Sequence, residues 1–195
     1  AAEKALQEAI KKISINIETK EIGEAIESAI KSFNAQPIIN LSGHSLEKYN
    51  LHAGLTIPNN NIPQKIKIKE GAYAIEPFAT SGLGKVRDGK PSGIYHLEKE
   101  GSVRDDFARE VLAHIIEDYQ TLPFCSRWLV KKFGTRTLIA LKRIEEVGLL
   151  HHYAQLVEIS KKPVAQAEHT IIITEKEKID FDFEITTLLH LGIGL

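Results

Sequence analysis

Apolar residues along the first part of the chain recur with helical spacing, and then the period changes. Ala2, Ala5, Leu6, Ala9, Ile10 and Ile13 fall at i, i+3, i+4 and i+7, which predicts an amphipathic helix with one buried stripe. Ile22, Ala25, Ile26, Ala29, Ile30 and Phe33 repeat the pattern, with Thr19 as the expected cap. Between Pro37 and Phe78, short apolar runs such as Pro37-Ile38-Ile39 and Ala72-Tyr73-Ala74-Ile75 are bounded by Gly, Asn and Pro and predict strands. Gly82, Gly84, Gly89, Pro91 and Gly93 crowd the next stretch, which predicts a mobile loop or the boundary of an insert.

Helical spacing returns from Val103 to Gly148. Phe107, Val111, Leu112, Ile115, Ile116 and Tyr119 form one stripe, and Trp128 and Leu129 mark a short helix. Leu138, Leu141 and Ile144 form a last stripe, closed by Gly148 at C′. His151-His152 then marks the end of a turn. Val164 to Thr174 reads as one strand, with the alternation Ile179, Phe181, Phe183, Ile185 as its hairpin partner. Blocks of helix and strand that do not alternate strictly predict an α+β fold with a mostly antiparallel sheet.

A length of 195 residues suits one domain with room for a small insert. Hydrophobic residues at 43% and charged residues at 26% exclude a disordered chain or a disulfide scaffold. With Lys+Arg 25 against Asp+Glu 26, no global field draws the chain to nucleic acid or an anionic membrane. The lone Cys125 suits a reducing compartment and a core position. No apolar run approaches the roughly 18 residues of a membrane span, so a cytoplasmic protein without a membrane partner is expected. The absence of methionine and a chain that opens at Ala1 within a helical pattern predict a fragment, a processed chain or one half of a split protein.

Candidate chemistry rests on residues that strand physics disfavours. Glu76 interrupts the run from Ala72 to Phe78, and Glu168 interrupts the run from Val164 to Ile173. A carboxylate buried without a partner is unfavourable by several kcal/mol or takes up a proton, so each requires a cation, a donor network or a solvent-facing side. His44, in Leu41-Ser42-Gly43-His44-Ser45, is placed near a strand end, and His52 precedes Ala53-Gly54. One imidazole with two carboxylates suits a divalent ion of the Mn, Fe, Co, Zn series. The long separations alone do not establish such a site.

Four strings, Asn40-Leu41-Ser42-Gly43-His44-Ser45, His52-Ala53-Gly54, Tyr73-Ala74-Ile75-Glu76-Pro77-Phe78 and Ala165-Gln166-Ala167-Glu168-His169-Thr170-Ile171, resemble type II methionine aminopeptidases, archaeal ones especially. Leu122-Pro123-Phe124-Cys125-Ser126-Arg127-Trp128-Leu129 resembles part of the helical insert of that family. The resemblance implies the C-terminal half of a pita-bread fold with a winged-helix-like insert. Its implied divisions are residues 1–85 as the first part of the half-domain, 86–163 as the insert, and 164–195 as the closing hairpin and tail.

It further implies removal of N-terminal methionine from nascent polypeptides by a hydroxide at two divalent metal ions. His44, Glu76 and Glu168 would be metal ligands, His52 and Glu76 catalytic groups, and His52 and Tyr153 substrate contacts. Two further aspartate ligands are implied upstream of the first helix, so this chain alone is expected to bind metal weakly and to need the missing N-terminal half or a second chain. Ala167, where the family has Phe, and Ala154-Gln155, where it has two prolines or a proline and an aliphatic residue, depart from the pattern.

Three alternatives follow. A creatinase or prolidase relative would share the fold and similar ligands, but the helical insert and the Gly43-His44-Ser45 string resemble type II aminopeptidases more. A non-catalytic pita-bread module of the transcription- or ribosome-associated kind would share the fold and lose the ligands. Nucleic-acid binding could rest on the insert, with Arg127, Lys131, Lys132, Arg136, Lys142 and Arg143, but interleaved aromatics and a basic groove are missing, so a solvated face is expected. Ribosome contact by that surface stays open.

Overall fold

The structure is a computed structural model and describes residues 1–181. Phe183, Ile185 and the tail from Leu188 lie outside the described residues. Contacts within the chain define two compact units, one formed by Ala1–Arg87 with the stretch that begins at Leu156, the other by Asp88–Gln155.

The first unit opens with two helices, α1 (Ala2–Lys12) and α2 (Thr19–Lys31). Glu18, not Thr19, stands at the cap of α2, and its backbone N–H donates to the Glu21 carboxylate at 3.4 Å. Thr19 is instead fully buried in the first turn. The buried stripes meet in one core with Ile22, Ile26, Ile30, Ile57, Ile75 and Ile171. Phe33 leaves the stripe: α2 ends at Lys31, Asn34 takes a positive φ of 55°, and Phe33 is 55% exposed.

The strands of this unit form two antiparallel sheets. β1 (Gln36–Pro37), β5 (Phe78–Thr80) and β9 (Val164–Gln166) make one, in the order β1-β5-β9. β2 (Ser42–Leu46), β3 (Thr56–Pro58), β4 (Gly71–Ile75), β10 (His169–Ile173) and β11 (Lys178–Phe181) make the other, in the order β11-β10-β4-β2-β3. Ile179 pairs with Ile172 in the hairpin. The run from Val164 to Thr174 is therefore not one strand. It breaks at Ala167-Glu168 and its two halves join different sheets. The break is sealed by the Ala167 N–H donating to the Pro77 carbonyl at 3.2 Å.

The second unit holds three helices and a small sheet. Val86–Leu97 is a single strand, β6, so the glycine-rich stretch is β structure over most of its length. Gly93, with φ 81°, supplies a conformation that a side chain rarely tolerates. β7 (Phe124–Cys125) and β8 (Leu150–Glu158) flank β6 in the order β7-β6-β8. His151-His152 thus lies within a strand and does not end a turn.

Of the helices, α3 (Asp106–Asp118) is capped by the Asp105 carboxylate, which accepts from the Ala108 N–H at 2.8 Å. α4 (Ser126–Phe133) and α5 (Thr137–Glu146) follow. Thr137, Ala140, Leu141 and Ile144 form the buried face of α5, leaving Leu138 53% exposed. Gly148 closes the helix with φ 71°. Cys125 is buried, as its reading as a core residue expects. Among the described residues no helix is long and apolar enough to cross a membrane.

Candidate metal centre

The site is built by neighbouring strands of the first unit. His44 lies in the middle of β2, opposite Ala74 of β4 and Thr56 of β3, rather than at a strand end. Strand alternation carries the chain from Ala74 through Ile75 to Glu76, one residue past β4. There the His44 Nε2 and a Glu76 carboxylate oxygen approach to 2.9 Å, with both side chains nearly buried. Glu76 is therefore no solvated residue on a strand face. Glu168 stands in the break between β9 and β10, an exposed residue whose carboxylate accepts a hydrogen bond from Gln166.

Gln166 joins the two acids. Its Nε2 donates to Glu76 Oε2 at 3.2 Å and to Glu168 Oε2 at 3.2 Å. The reading of the sequence missed this residue, although alternation places positions 166 and 168 on one side of the strand and would have been a signal. His169 then lies in β10 opposite Ile75. His52 packs its ring edge-on against His44, with centroids 4.3 Å apart. Both histidines line an open pocket of ≈ 250 Å³ with Asn40, Leu41, Ser42 and Leu55.

The electrostatics fit crowded acids around an imidazole. Burial alone would lower the pKa of His44, but the hydrogen bond to Glu76 and its charge outweigh that and raise it above the ordinary value. The Glu168 carboxyl is pushed up to about 7 by burial and by the charge of Glu76, against the opposing pull of His44. Because part of Glu168 remains exposed, crowding by Glu76 is the firmer of the two causes.

In kind, the donors fit a divalent ion: one imidazole and two carboxylates, with the charge of Glu76 close enough to raise the Glu168 pKa. In geometry they fall short of a finished cage, because among the described residues no three His, Cys, Asp or Glu side chains are already set to hold an ion together. His44 and Glu76 spend their facing atoms on each other, so a bound ion would replace that hydrogen bond.

Tyr153 lies in β8 of the second unit. Its ring packs on His96 and His151, with centroids 5.2 and 4.8 Å away. Burial, with a smaller contribution from Glu98, pushes its hydroxyl pKa up.

Comparison with known proteins places this arrangement in context. Three methionine aminopeptidases from archaea are similar. The protein of Pyrococcus abyssi is 44% identical over 182 residues, 92% of this chain and 61% of the relative. That of Thermococcus onnurineus is 45% identical over 180 residues, 91% of this chain and 61% of the relative. That of Methanothermobacter thermautotrophicus is 42% identical over 177 residues, 90% of this chain and 59% of the relative. The chain thus spans about three-fifths of the length of the curated relatives it matches.

Two solved structures share the fold. A thermophilic Arx1 superposes with a TM-score of 0.71 at 15% identity, covering 92% of this chain and 54% of that one. A methionine aminopeptidase from Thermotoga maritima superposes with a TM-score of 0.53 at 19% identity, covering 92% and 48%. The expected α+β pita-bread fold is thereby met. The family description Metallopeptidase family M24 matches residues 1–175, a span containing every strand and histidine of the pocket, and it is to this family that the chain belongs.

Proposed function

We propose that this chain carries part of the active site of a metal-dependent aminopeptidase that removes the N-terminal methionine of nascent polypeptides. The observation that carries the reading is the network of His44, Glu76 and, through Gln166, Glu168, with His52 packed on His44, in a chain 44% identical to the Pyrococcus abyssi methionine aminopeptidase. His44, Glu76 and Glu168 would hold two divalent ions of the Mn, Fe, Co, Zn series, with Glu168 shared between them. When bound, such ions supply Lewis-acid polarisation of a peptide carbonyl and lower the pKa of water toward neutrality.

The chain's own side chains supply the rest. Glu76, nearly buried and hydrogen-bonded to His44, would receive a proton and pass it to the leaving amine. The exposed His52 imidazole, which lines the pocket, would donate a hydrogen bond to the oxygen on which negative charge develops. The resemblance to type II enzymes would make Tyr153 a contact of the methionine side chain. A cytoplasmic site of action suits this substrate. The stretch Thr121–Arg143 has basic residues and no acidic one, which supports a ribosome-facing role for the second unit. A non-catalytic binding module has less support, because the relatives at 42–45% identity are named methionine aminopeptidases.

The test is release of methionine from Met-Ala-Ser with Co(II) or Mn(II). It compares the chain alone with the chain co-expressed with the segment of the Pyrococcus abyssi relative that it does not match. Activity is expected from the pair and is lost in His44→Ala and Glu168→Ala. A folded pair without activity refutes the proposal.

A further inference from the structure

Gln166 touches both acidic members of the site, and neither the mechanism nor the resemblance assigns it a role. It ends β9, opposite Phe78 of β5, and the adjacent Ala167–Pro77 hydrogen bond holds its strand beside the segment that carries Glu76. An exposed glutamine at a strand end is free to point into water. Here its Nε2 lies 3.2 Å from one carboxylate and 3.2 Å from the other. One amide nitrogen bears two hydrogens in a fixed plane, so it can serve two acceptors at once. With His44 on the second oxygen of Glu76, the order His44, Glu76, Gln166, Glu168 forms one continuous network.

The type of donor matters as much as its place. Two carboxylates that crowd each other separate unless something holds them, and Glu168, the exposed member, has water to turn to. A lysine or arginine between them would hold them equally well and cancel the charge that attracts a divalent ion. A neutral amide holds them and leaves that charge intact.

We infer that Gln166 is a positioning residue of the metal centre: its amide sets the separation of the Glu76 and Glu168 carboxylates so that both face one ion. The inference rests on the metal-binding reading of the site. Its experiment is a Co(II) titration of the 195-residue chain, followed by calorimetry and by the visible absorption of the bound ion. Crystals of the chain prepared in EDTA supply a readout that needs no metal.

Gln166→Ala, and Gln166→Asn, whose amide is one methylene too short to reach both acids, should each bind Co(II) roughly 10–100-fold more weakly, the usual effect of losing a residue that orients a ligand. The visible spectrum should change while far-UV circular dichroism and the unfolding midpoint stay at parent values, and the metal-free crystal should show Glu168 turned away from Glu76. Gln166→Lys should keep the two acids together and still bind Co(II) more weakly than the parent. Parent-like affinity and spectrum in Gln166→Ala, or carboxylates that stay in place without the amide, overturn the role and leave the metal-binding reading standing. A parent chain that binds no Co(II) overturns both.

Discussion

Replacing Gly43 by alanine tests whether the site depends on how closely β2 and β4 approach. A Cβ at Gly43 would lie 2.4 Å from the Ala74 carbonyl oxygen and 3.2 Å from the Ile75 Cα. The first distance is about 1 Å short of an ordinary contact between heavy atoms. The obstruction is backbone, and it has little room to retreat, because Ala74 is paired with His44 on one side and Thr170 of β10 on the other.

Overpacking of this kind destabilises by about 1–3 kcal/mol. Gly43 is not in a positive-φ conformation, so alanine recovers about 0.4–1 kcal/mol through a less flexible unfolded chain. The clash is the larger effect, and the net loss should be about 1–2 kcal/mol. The displacement falls on His44, the next residue, whose 2.9 Å contact with Glu76 must lengthen. Urea unfolding followed by far-UV circular dichroism should give a lower midpoint at unchanged slope, and Co(II) affinity should drop together with it. An unchanged midpoint and affinity in Gly43→Ala would show that the strand spacing does not set the site.

Other perturbations separate packing from electrostatics. Ile26→Ala, at a fully buried position of α2, should lower unfolding stability by about 2–5 kcal/mol in a urea titration and leave the ligands in place. In metal-free protein, the Glu168 carboxyl sits at about 7 instead of its ordinary 4.5. The folded state therefore holds its proton longer than the unfolded one, and the stability this one group contributes should be fully present below pH 4.5 and lost as pH rises through about 7. Glu168→Gln should remove that fall, which would amount to about 3 kcal/mol for a fully desolvated acid and about 1 kcal/mol after screening by water at this exposed residue; an unaltered pH profile would refute the assignment.

Glu158 titrates with the opposite sign. It accepts hydrogen bonds from the Leu83 N–H at 2.7 Å, from the Ser160 hydroxyl at 2.6 Å and from the Ser160 and Lys162 N–H groups. Burial would raise its pKa, but those donors hold it below the ordinary value. The stability it contributes is present above pH 4.5 and lost as pH falls through the lowered value, and Glu158→Gln should unfold at lower temperature in a thermal scan at pH 7.

The helices were the most legible part of the fold, because each presents one stripe to one core and the 3.6-residue period shows directly in Ile22, Ile26 and Ile30. The errors lie at element ends and in strands. Phe33 and Leu138 continue a period beyond the face the core uses. β6 runs through Gly89, Pro91 and Gly93, where local propensity favours a break and sheet pairing overrides it. β8 lacks an apolar alternation at His151-His152-Tyr153, so nothing local marks it as a strand. The candidate ligands His44, Glu76 and Glu168 were legible as residues out of place and through family-like strings. Their convergence depends on the register of distant strands, which no spacing encodes. Alternation sets Gln166 on the side of Glu168, but its reach to Glu76 is decided by the pairing of Phe78 with Gln166 and by the break at Ala167, which no local pattern shows.

The central claim is that three side chains from β2, from the end of β4 and from the break between β9 and β10 act as ligands of one metal centre. Crystals of the chain soaked in Zn(II) and measured across the zinc absorption edge address it directly. An anomalous peak about 2 Å from the His44 Nε2 and from oxygens of Glu76 and Glu168 is the expected result. A map without a peak there, or with the His44–Glu76 hydrogen bond intact at saturating zinc, would contradict the account.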